Sequence, residues 1–229
     1  MASILNRIEE LDDEDEEPEK DYEDNWIIAW VYNGEYWSNP YCKEDGFLDD
    51  YFEDMDDDFS IHSEAEVDEA QLKALLFENN NNKYTLVISG QGEINIYLDE
   101  RHWDDDKFAP WLGHYWTLQE RNTCDGNFTD NYLNNISRLE IREGITSIEY
   151  NSFRWMNFNY VYIPGSVESI KADAFCSTYE LEEVEFSPSF NGQFETDQRG
   201  YSYSFYDSNW LNYQESIVDE APRSISLWS

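Results

Sequence analysis

Residues 137–188 read SRLEIREGITSIEYNSFRWMNFNYVYIPGSVESIKADAFCSTYELEEVEFSP and contain an internal repeat. Apolar side chains of the first repeat unit recur in the second unit at one constant interval. The interval from the second unit to the third, from Val161 to Val184, is one residue longer. Self-similarity at a period in the twenties predicts a solenoid of stacked units. The recurring pairs are Leu139 and Val161, Ile141 and Ile163, Ile145 and Val167, Ile148 and Ile170, and Phe153 and Phe175.

Each repeat unit combines a short strand with a turn and a phenylalanine. The strand shows alternating apolar residues, as in Leu139-Glu140-Ile141, and a turn with Gly144 or with Pro164-Gly165 follows. Alternation with a period of two predicts a strand with one buried face. One unit alone cannot bury its apolar face, so we expect neighbouring units to stack on each other.

This pattern resembles the BspA-like leucine-rich repeat family. Residues 163–176 and 181–184 carry the resemblance, with a strand, a proline, a small turn, Val-x-x-Ile and Ala-Phe. The preceding unit has Ser152 in place of the usual alanine, and residues 86–92 and 109–111 look like a lead-in. The resemblance covers roughly residues 83–188. It implies a binding scaffold, often for surface adhesion, with no shared catalytic residue.

The repeat pattern, the resemblance and the local strand and helix signals together predict a mostly β protein of α+β class with five segments. We predict a short solenoid between an acidic α/β region and an aromatic cap that covers the end of the repeats. The segments are an acidic leader, helical and then disordered (1–24), an acidic hairpin and helix region (25–82), a lead-in (83–136), the leucine-rich repeats (137–188) and a C-terminal cap (189–229).

Two local signals give structure to the region before the repeats. Residues 26–32 are rich in strand formers, and Asn33-Gly34 predicts a two-residue turn that returns through Trp37 as a β-hairpin. Ser63 and Glu66 have the spacing of a capping box, in which each residue satisfies a backbone amide of the other. We expect a helix from this box to about Glu78.

The charge is extreme for a chain of this length. With 51 acidic and 14 basic residues, the formal net charge is −37, yet aromatic residues make up 17% of the sequence. A disordered acidic tail would be poor in aromatics, so we expect a folded core under an anionic surface. No apolar run is long enough to span a bilayer. The N-terminus lacks a secretion signal, which predicts a cytoplasmic location.

Clusters of acidic residues are the candidate partner-binding site. In the first cluster, aromatic residues such as Tyr51 and Phe52 are interleaved with the acids and can anchor them to a core. The bland alternative is that these charges serve solubility alone. The predicted site residues are Asp45, Asp49, Asp50, Glu53, Asp54, Asp56, Asp57, Asp58, Asp104, Asp105 and Asp106.

The residue inventory argues against an enzyme, a metal site or a cofactor. Three histidines and three cysteines stand at no zinc-ligand spacing. Residues 54–59 alternate acids as a calcium loop does but lack its central glycine. Cys176 falls at a position that the repeat family often fills with cysteine, so we expect it in the core. An odd number of scattered cysteines fits a reducing compartment better than a disulfide framework.

Two functions remain open at this stage. Proteins that grip nucleic acid present Lys and Arg to the phosphates, and a rigid polyanion can occupy such a groove. In composition the chain resembles phage and mobile-element inhibitors of defence enzymes, of the anti-CRISPR or anti-restriction type. We therefore predict a nucleic-acid mimic that binds a basic nucleic-acid-binding protein such as a nuclease, without binding nucleic acid or membrane itself. The alternative is a generic leucine-rich-repeat scaffold for protein interaction or adhesion.

Overall fold

The computed structural model describes residues 25–34, 37–38, 41–43, 61, 63–79, 82–94, 111, 135–195 and 204–211. The predicted acidic leader lies outside these residues. In the described ranges, no helix has both the length and the apolar character needed to cross a membrane. The elements are β1 (Ile28–Val31), β2 (Tyr41–Cys42), α1 (Glu64–Glu69), β3 (Leu72–Glu78), β4 (Tyr84–Gly90), β5 (Gly92–Ile94), β6 (Ile136–Ile141), β7 (Ile145–Ile148), β8 (Tyr160–Ile163), β9 (Ser169–Ile170), β10 (Glu183–Phe186) and β11 (Gln193–Phe194).

Within the described residues, two sheets run along a solenoid of four coils. A seven-stranded sheet has the order β10-β8-β6-β4-β3-β1-β2, and a four-stranded sheet has the order β11-β9-β7-β5. Strands β4, β6, β8 and β10 are parallel, and so are β5, β7, β9 and β11. Each coil therefore gives one strand to each sheet, and the predicted leucine-rich-repeat fold is confirmed. We number the coils 1 to 4, from β4–β5 to β10–β11.

A ladder of aromatic rings runs through the coils. The Phe153 ring stacks on Trp111 at a centroid distance of 5.8 Å and on Phe175 at 5.2 Å, and Phe175 stacks on Phe205 at 4.7 Å. Backbone bonds follow the same order, because the Phe153 amide donates to Ala174 O and the Phe175 amide to Ser204 O. Equivalent aliphatic residues such as Leu139 are completely buried. One ring per coil thus fills the core beside the strands.

The solenoid is longer than the repeat visible in the sequence. Strands β4 and β5, in the predicted lead-in, form coil 1, and Trp111 supplies a ring to the ladder. Strand β11 pairs with β9, and Phe205 extends the ladder inside the segment predicted as a C-terminal cap. The five segment boundaries remain a prediction. The structure shows in addition that the stack of coils continues from the predicted lead-in into the predicted cap.

The region before the repeats extends the larger sheet in antiparallel fashion. Strand β3 pairs with β4 on one side and β1 on the other, and β2 adds an edge to β1. The outer surface of this half is covered by a second core cluster that includes Val67 of α1. Its members are Trp26, Ala29, Val31, Tyr41, Ile61, Val67, Leu75, Phe77 and Val87.

The predicted helix to Glu78 is wrong beyond its first turns. The capping box is present, since Ser63 Oγ accepts from the Glu66 amide at 3.4 Å, but α1 ends at Glu69. Strand β3 follows because it is buried on both faces, with Leu76 in the inner cluster and Leu75 in the outer one. Such a strand reads as a continuous apolar run, which hydrophobic periodicity cannot distinguish from a buried helix.

The predicted β-hairpin is confirmed, with a different turn. Strand β1 begins at Ile28, and Tyr32 pairs with Trp37 through an antiparallel bridge. Four residues therefore separate the bridged pair, rather than the two predicted. Gly34 has φ +100°, a backbone conformation that glycine adopts without steric cost.

Candidate binding face of the parallel sheet

Strands β6, β8 and β10 present two rows of polar and aromatic side chains away from the core. The register places Tyr160 beside both Arg138 and Glu183 in the first row. Residues between them, such as Val161, point inward and are completely buried. We call the six outward residues the sheet face: Arg138, Glu140, Tyr160, Tyr162, Glu183 and Glu185.

Glu140 is the fixed centre of an ion network on this face. Its Oε1 lies 2.7 Å from Arg138 Nε, and its Oε2 lies 3.0 Å from Arg142 Nη2. The Glu140 side chain is only 9% exposed, whereas the two arginine side chains are about a third exposed. Both carboxylate oxygens are engaged, so Glu140 holds two guanidinium groups in place at the surface.

Tyr160 joins the two ends of the sheet face. The Arg138 guanidinium lies over its ring, 3.9 Å from the centroid, and its hydroxyl donates a hydrogen bond to Glu185. Burial, and next this hydrogen bond, raise the pKa of the Tyr160 phenol far above its usual value. Tyr160 therefore stays neutral at physiological pH and keeps donating to Glu185.

The remaining groups of the sheet face are open to a partner. Glu183 and Glu185 are exposed on β10, and Tyr162 is half-buried between them and β6. Aromatic and arginine side chains are enriched in protein interfaces. The face therefore combines held arginines, an aromatic pair and an acidic edge, a composition suited to recognition of another protein surface.

We expect Glu140→Ala to lower the free energy of unfolding by about 1–3 kcal/mol, since it removes two charge-assisted hydrogen bonds from a buried acceptor. Chemical denaturation followed by circular dichroism measures the change. Glu183→Ala is the matched control, because Glu183 is an exposed carboxylate on the same face. Equal losses for the two variants would contradict the proposed role of the Glu140 network.

The raised pKa of Tyr160 predicts an alkaline loss of stability. A group that ionises less readily when folded contributes stability below its unfolded pKa, about 10 for tyrosine, and loses it as pH rises toward the folded pKa. We expect the free energy of unfolding to fall more steeply between pH 9 and 11 in the parent than in Tyr160→Phe. Parallel curves would contradict this assignment, because the other tyrosines are common to both proteins.

The acidic residues predicted as the partner site all lie outside the described residues, so that site remains a prediction. They are Asp45, Asp49, Asp50, Glu53, Asp54, Asp56, Asp57, Asp58, Asp104, Asp105 and Asp106. Sequence reasoning missed the sheet face because it followed charge density. The available signal was the repeat itself: Arg138 and Tyr160 are separated by one repeat period, hence they stand at the same position of successive coils.

The sulfur and metal chemistry of the described residues is limited. Cys176 is free and buried as predicted, and burial raises the pKa of its thiol. Cys42 is disulfide-bonded, contrary to the expectation of reduced cysteines. Within the described ranges, no three His, Cys, Asp or Glu side chains converge as a metal site. The cytoplasmic location stays a prediction.

The paired parallel sheets and the ring ladder define a leucine-rich-repeat solenoid. The family model described as the BspA type leucine rich repeat region (6 copies) matches residues 125–213. No curated protein matches the sequence. This match agrees with the resemblance drawn from residues 163–176, and it extends through coil 4 to include Phe205.

Two solved structures match part of the chain. A leucine-rich repeat protein from Eubacterium ventriosum ATCC 27560 is 20% identical with a TM-score of 0.35, over 60% of this chain and 34% of the other. The pneumococcal vaccine antigen PcpA is 14% identical with a TM-score of 0.25, over 54% of this chain and 38% of the other. The matched region thus spans little more than a third of either protein.

Proposed function

We propose that this protein is a non-enzymatic scaffold that binds another protein through the sheet face. The match to a leucine-rich repeat region supports a role in protein interaction or adhesion. Repeat solenoids offer extended surfaces of fixed shape, and these surfaces are commonly used for binding. Within the described residues, the sheet face is the part of the larger sheet where this surface is polar and open.

One observation carries the proposal: the outer surface of the sheet changes character at β6. One row of residues paired across neighbouring strands begins with Leu75 and Val87, which belong to the second core cluster. The same row continues through Glu140, Tyr162 and Glu185, which are polar or aromatic. The first half is thus sealed by apolar packing, whereas in the second half exposure increases from the buried Glu140 through the half-buried Tyr162 to the exposed Glu185, although both halves belong to one continuous sheet.

The sheet face is also rigid before any partner binds. Arg138 is held by Glu140 and by the Tyr160 ring, and Tyr160 is held in turn by Glu185. Side chains that are already ordered lose less conformational entropy on association, which favours affinity. We infer that Tyr162 and the Arg138–Tyr160 pair form the centre of the contact, where aromatic and arginine hot spots usually lie.

The second part of the proposal is that the partner protein has a basic surface. The net charge of −37 favours association with cationic surfaces, and Glu183 and Glu185 place two carboxylates at the open edge. A nucleic-acid-binding groove, such as that of a nuclease, has this charge. The version in which the protein mimics nucleic acid is supported by charge alone, since the sheet face also carries Arg138, and the cationic Arg142 is paired with its Glu140.

The test begins with capture of binding proteins by the immobilised chain and identification of those that bind directly when purified. We expect Tyr162→Ala to raise the dissociation constant of the direct partner about tenfold or more. Tyr179→Ala is the control, because Tyr179 is 60% exposed, belongs to no strand of the larger sheet and donates its hydroxyl to Asp207. Equal affinities of the parent and Tyr162→Ala would reject the sheet face as the contact.

The salt dependence of the affinity and competition by DNA distinguish a nucleic-acid mimic from a scaffold that binds through aromatic contacts. Mimicry predicts that affinity falls steeply with added salt and that duplex DNA displaces the protein from its partner. A scaffold that uses aromatic contacts predicts a shallow salt dependence and no competition by DNA. Loss of binding in Tyr162→Ala is expected in both cases, so the contact and the mimicry are tested separately.

A further inference from the structure

A polar cleft lies where the β-hairpin meets coil 1. Its volume is about 470 Å³, within the range typical of small-molecule sites. It is formed by the turn after β1, the start of β3 and the connection between β4 and β5. The side chains and backbone that line it come mainly from Tyr32, Asn33, Gln71, Gln91, Gly92 and Glu93.

The cleft has a fixed floor. The Gln91 amide donates to Gln71 O at 2.8 Å, and the Gly92 amide donates to Gly144 O at 3.1 Å. Gly90 allows this close approach, because a Cβ there would overlap Gln71 O. The backbone hydrogen bond between Gln91 and Gln71 holds these two residues beside each other, although they belong to different parts of the chain, and both side chains are exposed.

We propose that this cleft binds a neutral carbohydrate through a pyranose unit. Each primary amide offers both a donor and an acceptor, and the Glu93 carboxylate offers two acceptor oxygens. Adjacent hydroxyl groups of a sugar ring each donate and accept, so they can pair with such groups two at a time. Tyr32 adds an aromatic residue to the lining. The cleft uses no residue of the sheet face, so this inference goes beyond the proposed function.

Other ligand classes fit the lining less well. An anion would be repelled by Glu93 and by the net charge of −37. An apolar ligand would leave the polar lining unpaired, because the side chains of Gln71, Gln91 and Glu93 are exposed whereas Leu72 is only 3% exposed. A small cation is the remaining competitor, since Glu93 and the amide oxygens of Gln71 and Gln91 could pair with it, but a cation would leave the NH₂ donors of these amides unused.

Saturation-transfer NMR on the full chain with maltose, cellobiose, lactose and chitobiose tests this inference. We expect transfer to the ring protons of at least one disaccharide. Gln91→Leu and Glu93→Gln should each weaken its binding about fivefold, because each removes a hydrogen-bonding group. Gln193→Leu is the matched control, since Gln193 is an exposed amide on the corresponding strand of coil 4.

Three outcomes would overturn the inference. The first is that none of the four disaccharides receives saturation transfer from the folded parent. The second is binding that Gln91→Leu and Glu93→Gln leave unchanged, which would place the sugar elsewhere. The third is displacement of the bound sugar by free lysine at equal concentration, which would indicate a cation site. Unchanged melting temperatures of the variants confirm that a lost signal reflects the cleft rather than unfolding.

Discussion

Phe175→Ala will lower the free energy of unfolding by about 3–5 kcal/mol. The Phe175 ring is completely buried and is stacked between Phe153 and Phe205. Its removal leaves a cavity that the neighbouring coils cannot fill, because their own rings are fixed by the same ladder. The loss therefore includes both the apolar transfer energy and the cost of the cavity.

Urea denaturation followed by far-ultraviolet circular dichroism measures this loss. Tyr206→Ala is the control for removal of an aromatic ring, since Tyr206 is 55% exposed beside Phe205. We expect the control to change stability by less than about 0.5 kcal/mol. Phe175→Leu should cost less than Phe175→Ala, because it keeps most of the buried volume. A loss below about 1 kcal/mol for Phe175→Ala, well short of the usual cost of such a cavity, would contradict the continuous ladder.

Gly90→Ala will destabilise the protein by at least about 2 kcal/mol more than Gly92→Ala, because it adds a steric overlap to a strained backbone. Both glycines have positive φ, +123° and +120°, so both variants carry a backbone cost of about 1–3 kcal/mol. They differ in surroundings, because a Cβ at Gly92 meets nothing within 4 Å, whereas one at Gly90 would overlap Gln71 O. The difference in stability between the two variants therefore measures the cost of steric overlap apart from that of backbone strain.

The same denaturation experiment provides the comparison, with hydrogen exchange as a second readout. In Gly90→Ala we expect faster exchange at the Gln91 amide, which donates to Gln71 O in the parent. Gly92→Ala should keep that amide protected. Equal destabilisation by both variants would mean that the start of β3 and the end of β4 are not as close as the structure shows.

Much of the solenoid could be predicted from the sequence, since coils 2 and 3 follow each other at a constant period. Coil 1 and strand β11 of coil 4 were not visible in the repeat, whereas β10 was recognised at a step one residue longer than the constant period. The step from Phe175 to Phe205 is longer than the repeat period, and the step from Trp111 to Phe153 is longer still. Stacking depends on the position of a ring in the coil, and that position does not require a constant spacing of the rings in the sequence.

The region before the repeats shows the limit of local signals. The capping box at Ser63 correctly places the start of α1, because capping depends on residues close together in the sequence. The identity of β3 depends on β1 and β4, which pair with it on either side. Those partners are separate segments of the chain, so a strand buried on both faces could not be recognised from its own residues.

The candidate binding site was the least predictable part. Charge density directed attention to acidic clusters, whereas the sheet face consists of alternate residues in β6, β8 and β10. Glu140 and Glu185 gain their importance from neighbours that only the strand register supplies. Their arrangement follows from the pairing of strands in neighbouring coils, and the amino-acid composition carries no information about that pairing.

Site-specific photo-crosslinking tests the central claim that the sheet face contacts a partner protein. A photoreactive phenylalanine analogue is placed at Tyr162 on the sheet face, at the exposed Tyr179, or at Tyr206, which follows Phe205 in the chain. We predict that the directly binding partner is crosslinked from position 162 and not from positions 179 or 206. Crosslinks confined to positions 179 and 206 would show that the protein binds through a different surface and would contradict the account.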